Sequence, residues 1–400
     1  MKVLVVNAGS SSVKFTMYRM AREQVMAKGL VERIGLKEPR LIYKRHDGLE
    51  FEEPAAVLDH EDALKLICDK LVDPEVGVLS DLAEVQAIGH RVVHGAEKFS
   101  GSVLIKDDVK RAIRMCTGLA PLHNPANLGG IEACERVFPE VPNVAVFDTA
   151  FHQTMPSYSY LYAVPYELYE EYGIRKYGFH GTSHHFVGEA TATFLDRPFD
   201  EIKLITCHLG NGCSIAAINK GRVLDTSMGL TPLSGLVMGT RCGDIDPGVI
   251  LYLLRKGMGV DEIDNLLNKK SGLLGVGNFG SGDMRDTMNA MEQGNPGAET
   301  AVNMFVHRLV FYIGGYYSAL RGAEAVVFTG GIGENNIPIR ARVISRLGAL
   351  GCFIDEAENQ VMGKPAVVST PESKLKAVVM PTDEELMIAR ETIGVLDSAD

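Results

Sequence analysis

The chain has 400 residues, 46% of them apolar and 23% charged, ordinary for a folded protein and outside the disordered, collagen-like and disulfide-scaffold ranges; at roughly 150 residues per domain, two or three domains and a cleft are expected. Its 40 Lys+Arg against 51 Asp+Glu give a net charge of −11. That balance argues against a broad nucleic-acid or membrane-binding face, both of which want basic surface, so any anionic ligand has to be held locally.

The seven cysteines, at 68, 116, 134, 207, 213, 242 and 352, form no Cys-x-x-Cys pair and are odd in number. They suggest neither a disulfide framework nor a zinc knuckle, and point to a reducing compartment. Lys2 is followed by only four apolar residues before Asn7, too few for the apolar core of a signal peptide. The longest uncharged run, Thr226 to Thr240, is broken by Pro232 and falls short of a membrane span. A cytoplasmic location is expected.

In chain order, the apolar run Lys2-Val-Leu-Val-Val-Asn7 predicts a strand that enters the turn Ala8-Gly-Ser-Ser-Ser12 and leaves as a second strand, Val13 to Tyr18, with a third at Val25 to Val31. Leu64, Ile67, Cys68 and Leu71 fall at helical spacing, and Val85 to Ile88 reads as a strand leading to Arg91 in Gly89-His-Arg-Val-Val-His94. A helix follows Asn124-Pro125, and the strand Asn143 to Phe147 ends in Asp148, where open α/β sheets present functional side chains. Lys203-Leu-Ile-Thr-Cys-His208-Leu-Gly210-Asn-Gly-Cys-Ser214 then repeats the opening with a constant offset of 201, as His208 follows Asn7. Second and third strands recur at Ile215 to Ile218 and Val223 to Thr226, joined by Lys220-Gly221. Helices at Gly248 to Leu254 and Ala298 to Leu320, strands at Ala325 to Phe328 and Ala377 to Met380, and a helix at Glu384 to Ile393 complete the pattern. It reads as a duplicated α/β unit with mixed sheets, against the alternative that two Gly-rich turns coincide.

Three turns after apolar strands are dense in small residues: Asn7 to Ser12, His208-Leu-Gly-Asn-Gly212 and Thr329-Gly-Gly-Ile-Gly-Glu-Asn335. Such turns can aim backbone N–H groups at phosphate with no Cβ in the way, although taken singly each is more often just a tight turn. None is a Walker loop. Gly275-Val-Gly277-Asn-Phe-Gly280 matches the dinucleotide pattern literally, but it follows a helical stretch, and Ser281 to Arg285 does not resemble a helix start, so the match is rejected. Arg91 and Arg241, each among apolar and glycine residues, are either structural ion-pair partners or ligands for carboxylate or phosphate. Glu384 is explained equally well by helix capping. The His180/His184 spacing resembles a zinc pair, but Gly181 lies between them and no third ligand suggests itself, so a histidine donor to a charged oxygen is preferred.

Val3 to Lys14, Leu204 to Ser214 and Gly330 to Asn335 closely resemble the acetate kinase family, and the likeness runs over essentially the whole chain. The resemblance implies a duplicated actin-like ATPase fold of two domains around a cleft, with residues 1–150 as one half, 151–383 as the other, and a terminal helix 384–400 packing on the first. It also implies roles. Asn7 and Glu384 match magnesium-site residues, with Mn2+ as a substitute metal, and Lys14 lies in the first phosphate motif. Arg91 matches the carboxylate ligand, Asp148 the catalytic acid, and His180 and Arg241 the stabilisers of the transferring phosphoryl group. His208, Leu209, Gly210, Asn211 and Gly212, then Asp283, Met284 and Arg285, then Gly331, Ile332, Gly333, Glu334 and Asn335 match nucleotide-contacting segments. Val93, Leu122, Phe179 and Pro232 resemble a small apolar pocket for the acyl methyl. One departure is that Val276 to Gly282 is richer in glycine than the family pattern.

The implied reaction is ATP + acetate ⇌ ADP + acetyl phosphate by direct in-line transfer in a homodimer, feeding acetyl-CoA formation. Two rivals remain: a kinase for propionate or another short acid, and an ATP-driven actin- or chaperone-like switch, which has no need of arginines beside a methyl-sized pocket.

Overall fold

A computed structural model describes residues 1–121 and 123–398, and the chain divides into two compact units, Met1–Phe151 with Asp383–Asp400, and His152–Thr382. The first holds a sheet of order β5-β4-β3-β2-β1-β6-β8-β7, formed by β1 (Lys2–Gly9), β2 (Ser12–Arg19), β3 (Gln24–Glu32), β4 (Arg40–Arg45), β5 (Glu50–Pro54), β6 (Ala87–Val92), β7 (Val103–Leu104) and β8 (Asn143–Phe147). Strands β1 to β5 form an antiparallel meander, and β6 and β8 continue parallel to β1. The second unit orders its strands β11-β10-β9-β12-β14-β13, from β9 (Lys203–Leu209), β10 (Cys213–Asn219), β11 (Arg222–Thr226), β12 (Ala325–Thr329), β13 (Ala366–Val367) and β14 (Lys376–Val379). Here too a three-strand meander is followed by two parallel strands. The internal repeat is therefore real. Its constant offset is not: Ala8 pairs with Val13, whereas Leu209 pairs with Cys213, so the spacing drops from 201 to 200 across the second turn.

The near-continuous apolar run of β1 follows from burial on both faces. Leu4 and Val6 pack with Leu64, Ile67 and Leu71 of the helix His60–Val72, while Val3 and Val5 pack with Ile388 and Ala389 of the last helix, Glu384–Asp397. That helix crosses β6 at Gly89, where a Cβ would meet Thr392 Oγ1 and come within 2.8 Å of Ile388 Cγ2. In the second unit, Val302, Phe305, Val306, Leu309 and Ile313 form the buried stripe of the helix Pro296–Ala319, started by Asn295 accepting from the Ala298 N–H at 3.0 Å. Lys220 (φ 54°) and Gly221 (φ 76°) close the β10/β11 hairpin with both central residues left-handed, the type I′ solution for a two-residue loop.

Some expectations shift. The strand read at Val85 to Ile88 runs Ala87–Val92, because Val85 still closes a 3₁₀ turn on the Leu82 carbonyl at 3.0 Å. The stretch Ser281 to Arg285, taken as unlike a helix start, is one: Asp283 accepts from the Arg285 N–H at 2.7 Å and caps the helix Met284–Glu292. The dinucleotide-like glycines lie in a short helix, Gly272–Gly277, and the loop after it. The third Gly-rich turn is itself a helix, Gly330–Asn335, begun directly off β12.

Overpacking a close backbone approach typically costs about 1–3 kcal/mol. Gly89→Val should therefore lower the stability of the first unit by about that amount, read as a reduced denaturant midpoint; an unchanged midpoint would show that the terminal helix does not seat on β6 through this residue.

Candidate active site

The first unit gathers a charged cluster at the ends of β1, β6 and β8. Arg91, next to last on β6, donates from Nε to Asp148 Oδ1 and Oδ2 at 3.2 and 3.1 Å and from Nη2 to Oδ2 at 2.6 Å, while Asp148 is held just past β8 by its own N–H on the Val92 carbonyl at 3.0 Å. The Asp148 side chain is 2% exposed and that of Arg91 23%, so the pair is sunk with one edge of the guanidinium accessible. Burial alone would lower the Arg91 pKa, but Asp148 and Glu384 outweigh it and hold the guanidinium above its ordinary value. Glu384, first residue of the terminal helix capped by Asp383, is pushed up to about 7 by burial, with Asp148 and Glu385 adding to the rise and Arg91 and Lys14 opposing it. Lys14 pairs in register with Asn7 and forms an ion pair with Glu385.

Two buried asparagines that the sequence reading missed pin these strand ends. Asn127 Oδ1 accepts from the Val93 N–H at 3.1 Å while its Nδ2 donates to the Ala8 carbonyl at 2.8 Å, tying the end of β6 to the end of β1. Asn124 accepts from the His94 N–H at 3.2 Å and donates to the His94 and Ile113 carbonyls at 3.0 and 3.1 Å. Their spacing along the helix Asn124–Val137 was the available signal, hidden because Asn-Pro reads first as a helix start. Val93 is buried beside them, and Leu122 lies outside the described residues.

The second unit gathers imidazoles, hydroxyls and glycines. His180 (φ 56°) precedes the helix Gly181–Phe194, which the sequence reading did not delimit; its Nδ1 is 2.9 Å from Ser214 Oγ and its ring stacks on His208 with centroids 4.3 Å apart. A Cβ on Gly212 would lie 2.8 Å from Arg241 Nη2 and 3.5 Å from His180 Nε2, so this glycine leaves the space that both side chains face. Arg241, its pKa lowered by burial, donates from Nη1 to the Pro232 carbonyl at 2.6 Å. The turn His208 to Gly212 is hemmed by other loops: Asn211 Oδ1 lies against Gly239, a Cβ on Gly282 would come 2.5 Å from the Gly239 carbonyl, and one on Gly330 (φ 74°) would come 2.8 Å from the Leu209 carbonyl.

Glu334 Oε1 accepts from the Gly330 and Thr382 N–H groups at 2.8 and 3.1 Å, and Asn335 Nδ2 donates to the Gly331 carbonyl at 3.1 Å. The wholly buried Arg340, also missed from sequence, donates to the carbonyls of Gly333 and Glu334 at 3.0 and 2.9 Å and of Asn359 and Val361 at 2.7 Å each, clamping the end of this helix. Asp283 and the exposed Arg285 pair at 3.0 Å, with Met284 buried behind them. Phe179 is buried next to His180, and Pro232 is half-buried.

The family model described as the acetokinase family matches residues 2–390. The chain belongs to the acetokinase family. The acetate kinase of Natranaerobius thermophilus is 52% identical over 397 residues, covering 99% of this chain and all of that one. The crystal structure of Porphyromonas gingivalis acetate kinase superposes with a TM-score of 0.95 at 44% identity, covering 99% of each chain. That of a propionate kinase from Francisella tularensis does so at 0.92 and 45%, covering 98% of this chain and 99% of the other. This acetokinase chain thus carries the duplicated α/β architecture of its family, with two mixed sheets in two units.

The raised Glu384 carboxyl has a consequence for stability. It keeps its proton when the unfolded chain, at its ordinary 4.5, has lost it, so its contribution favours folding at low pH and is lost as pH rises from about 4.5 to 7. Relative to Glu384→Gln, the metal-free parent should lose stability across that window in denaturant titrations; parallel curves for the two would remove the inferred burial of charge.

Proposed function

We propose that the chain transfers the γ-phosphoryl group of ATP to acetate, reversibly and with a divalent metal, by direct in-line attack. Phosphate transfer to acetate follows from the family; the finer points rest on the site. Acetate is ionised at neutral pH, so the difficulty is charge and not proton removal. Two unit charges 4 Å apart repel by about 4 kcal/mol at an effective dielectric near 20, worth about a thousandfold in rate. The accessible edge of Arg91 suits the carboxylate, and Arg241 and His180, facing the space above Gly212, suit the equatorial phosphoryl oxygens. Asp148 serves to hold Arg91: a carboxylate wrapped by that guanidinium is poorly placed to take a proton. The turns at His208 to Gly212, Asp283 to Arg285 and Gly331 to Asn335, with Lys14, are assigned to the nucleotide.

The donors Asn7 and Glu384 fit magnesium, with manganese able to substitute. They are hard oxygens, and the crowding of Glu384 by Asp148 and Glu385 is what a divalent cation relieves. Among the described residues no three His, Cys, Asp or Glu side chains form a metal cluster, so Asn7 and Glu384 are the protein groups that would hold the ion. When bound, the ion neutralises phosphate oxygens. Val93, Phe179 and Pro232, with Leu122, are assigned to the acyl methyl. A cytoplasmic location accords with the free cysteines and with the absence, among the described residues, of any helix long and apolar enough to cross a membrane. A homodimer accords with the helix Pro247–Arg255, which buries none of its residues and leaves Leu251 and Tyr252 more than half exposed.

The observation that carries this reading is the Arg91–Asp148 pair beside the raised Glu384 carboxyl. Trapping the product with hydroxylamine should give acetyl hydroxamate only with acetate, ATP and Mg2+ together; nucleotide hydrolysis without hydroxamate would favour the switch reading. The likeness to a propionate kinase favours a second acid, and since one methylene is worth about 1–3 kcal/mol, propionate should react with a kcat/KM about 10- to 200-fold below that of acetate.

Arg91→Ala should raise the acetate KM and lower kcat while sparing ATP affinity, and Asp148→Asn should reduce kcat far more than nucleotide binding. Steady-state kinetics with both substrates checks this, and an effect confined to ATP would contradict the assignment.

A further inference from the structure

Three acids follow one another at the start of the terminal helix, Asp383, Glu384 and Glu385, and their surroundings differ. Asp383 Oδ1 accepts from the Leu386 N–H at 2.9 Å and from the Tyr18 hydroxyl at 3.2 Å, and Glu385 is ion-paired with Lys14. Glu384, between them, has no hydrogen bond or ion pair among the described residues, and Arg91 and Lys14 act on it only at a distance. The flanking acids are engaged by the protein itself, and the middle one is left to meet a cation.

Both tethers come from one face of β2. Val13, Phe15 and Met17 pack with Leu64 and Ile67 of the helix His60–Val72, so the alternate residues Lys14, Thr16 and Tyr18 turn toward the terminal helix, where Tyr18 packs with Val3, Ile388 and Ala389. Asn7 is on the same side, because it pairs with Lys14 across the hairpin as Val3 pairs with Tyr18, and directly opposed residues share a face. One hairpin thus carries the donor Asn7 on its first strand and the two groups that bracket Glu384 on its second. The tethers are unequal. Lys14 is 51% exposed and is assigned above to the nucleotide, so its ammonium can exchange Glu385 for a phosphate, whereas Tyr18 is 1% exposed and its ring is fixed by the apolar residues around it. A carboxylate oxygen held by two donors keeps Asp383, and with it the backbone from which Glu384 projects, in one place. We propose that Tyr18 is a positioning residue for the metal-holding carboxylate: acting through Asp383, its hydroxyl sets the first turn of the terminal helix so that Glu384, and neither neighbour, meets the cation shared with Asn7. This rests on the assignment of Asn7 and Glu384 to the metal.

Binding of Mn2+ to the full-length protein in the presence of ADP, followed by the electron paramagnetic resonance signal of the free ion, tests this without turnover. Tyr18→Phe removes one oxygen from a buried ring and keeps its packing; it should raise the Mn2+ dissociation constant about 3- to 10-fold, the usual net worth of one hydrogen bond. The Mg2+ concentration for half-maximal hydroxamate formation should rise by the same factor, while kcat at saturating Mg2+ and the acetate KM stay within about twofold. Asp383→Asn, whose Oδ1 still accepts from Leu386 and Tyr18, should keep the parent's affinity; Asp383→Ala should lose it and leave Tyr18→Phe with no further effect. A Tyr18→Phe protein that binds Mn2+ as the parent does, or whose loss adds in full to that of Asp383→Ala, overturns the proposal. Glu384→Gln separates the two levels: parental Mn2+ binding by this variant removes the metal assignment and the proposal together, whereas weakened binding by Glu384→Gln with parental binding by Tyr18→Phe removes the proposal alone.

Discussion

A guanidinium sunk among apolar strands has to be neutralised where it stands, and the arrangement of the first unit follows from that need. Arg91 and Asp148 come from neighbouring parallel strands, β6 and β8, and their two-pronged contact requires those strands to end in step. The Asp148 N–H on the Val92 carbonyl keeps them in step, and Asn127 joins the backbone beyond β6 to the end of β1. Removing one member of such a buried pair leaves the other uncompensated, which is costlier than losing the attraction itself. The edge of Arg91 left accessible is therefore a positioned charge, with few rotamers left to lose when an anion arrives.

Duplication gave both units the same hairpin and different chemistry. At matching points of β1 and β9 stand Asn7 and His208, paired with Lys14 and Ser214. The first hairpin turns in two residues and places an amide and an ammonium beside acidic helix residues; the second loses one position relative to the first and places a buried hydroxyl among imidazoles. One scaffold thus carries an amide and an ion-paired ammonium in one copy, and a buried hydroxyl between imidazoles in the other.

Much of this was legible from residue order. The strand Asn143–Phe147 and the repeat stood out because apolar runs and glycine turns are local signals, and the short motifs carried the resemblance to the family. What escaped depended on distant partners. β5 is an edge strand and β4 its neighbour, both with alternating polar positions and weak local contrast. Ser281 to Arg285 looked like a loop because Asp283 caps through one hydrogen bond that composition does not display. Asn127, Ser214 and Arg340 are polar residues wholly or nearly enclosed, and their roles exist only once distant groups have been brought together, 119 positions apart for Asn127 and Ala8 and 30 and 34 for Ser214 with His184 and His180. Roles inferred by resemblance, in contrast, attached to short contiguous motifs.

The terminal helix closes the sheet that the first residues began, since Ile388 and Ala389 cover Val3 and Val5. The second unit, His152–Thr382, is uninterrupted in sequence, whereas the first is split around it. The sheet begun by the first strand can consequently be covered on that face only after the whole of the second unit has been synthesised, so the part of the chain made first is not the part finished first.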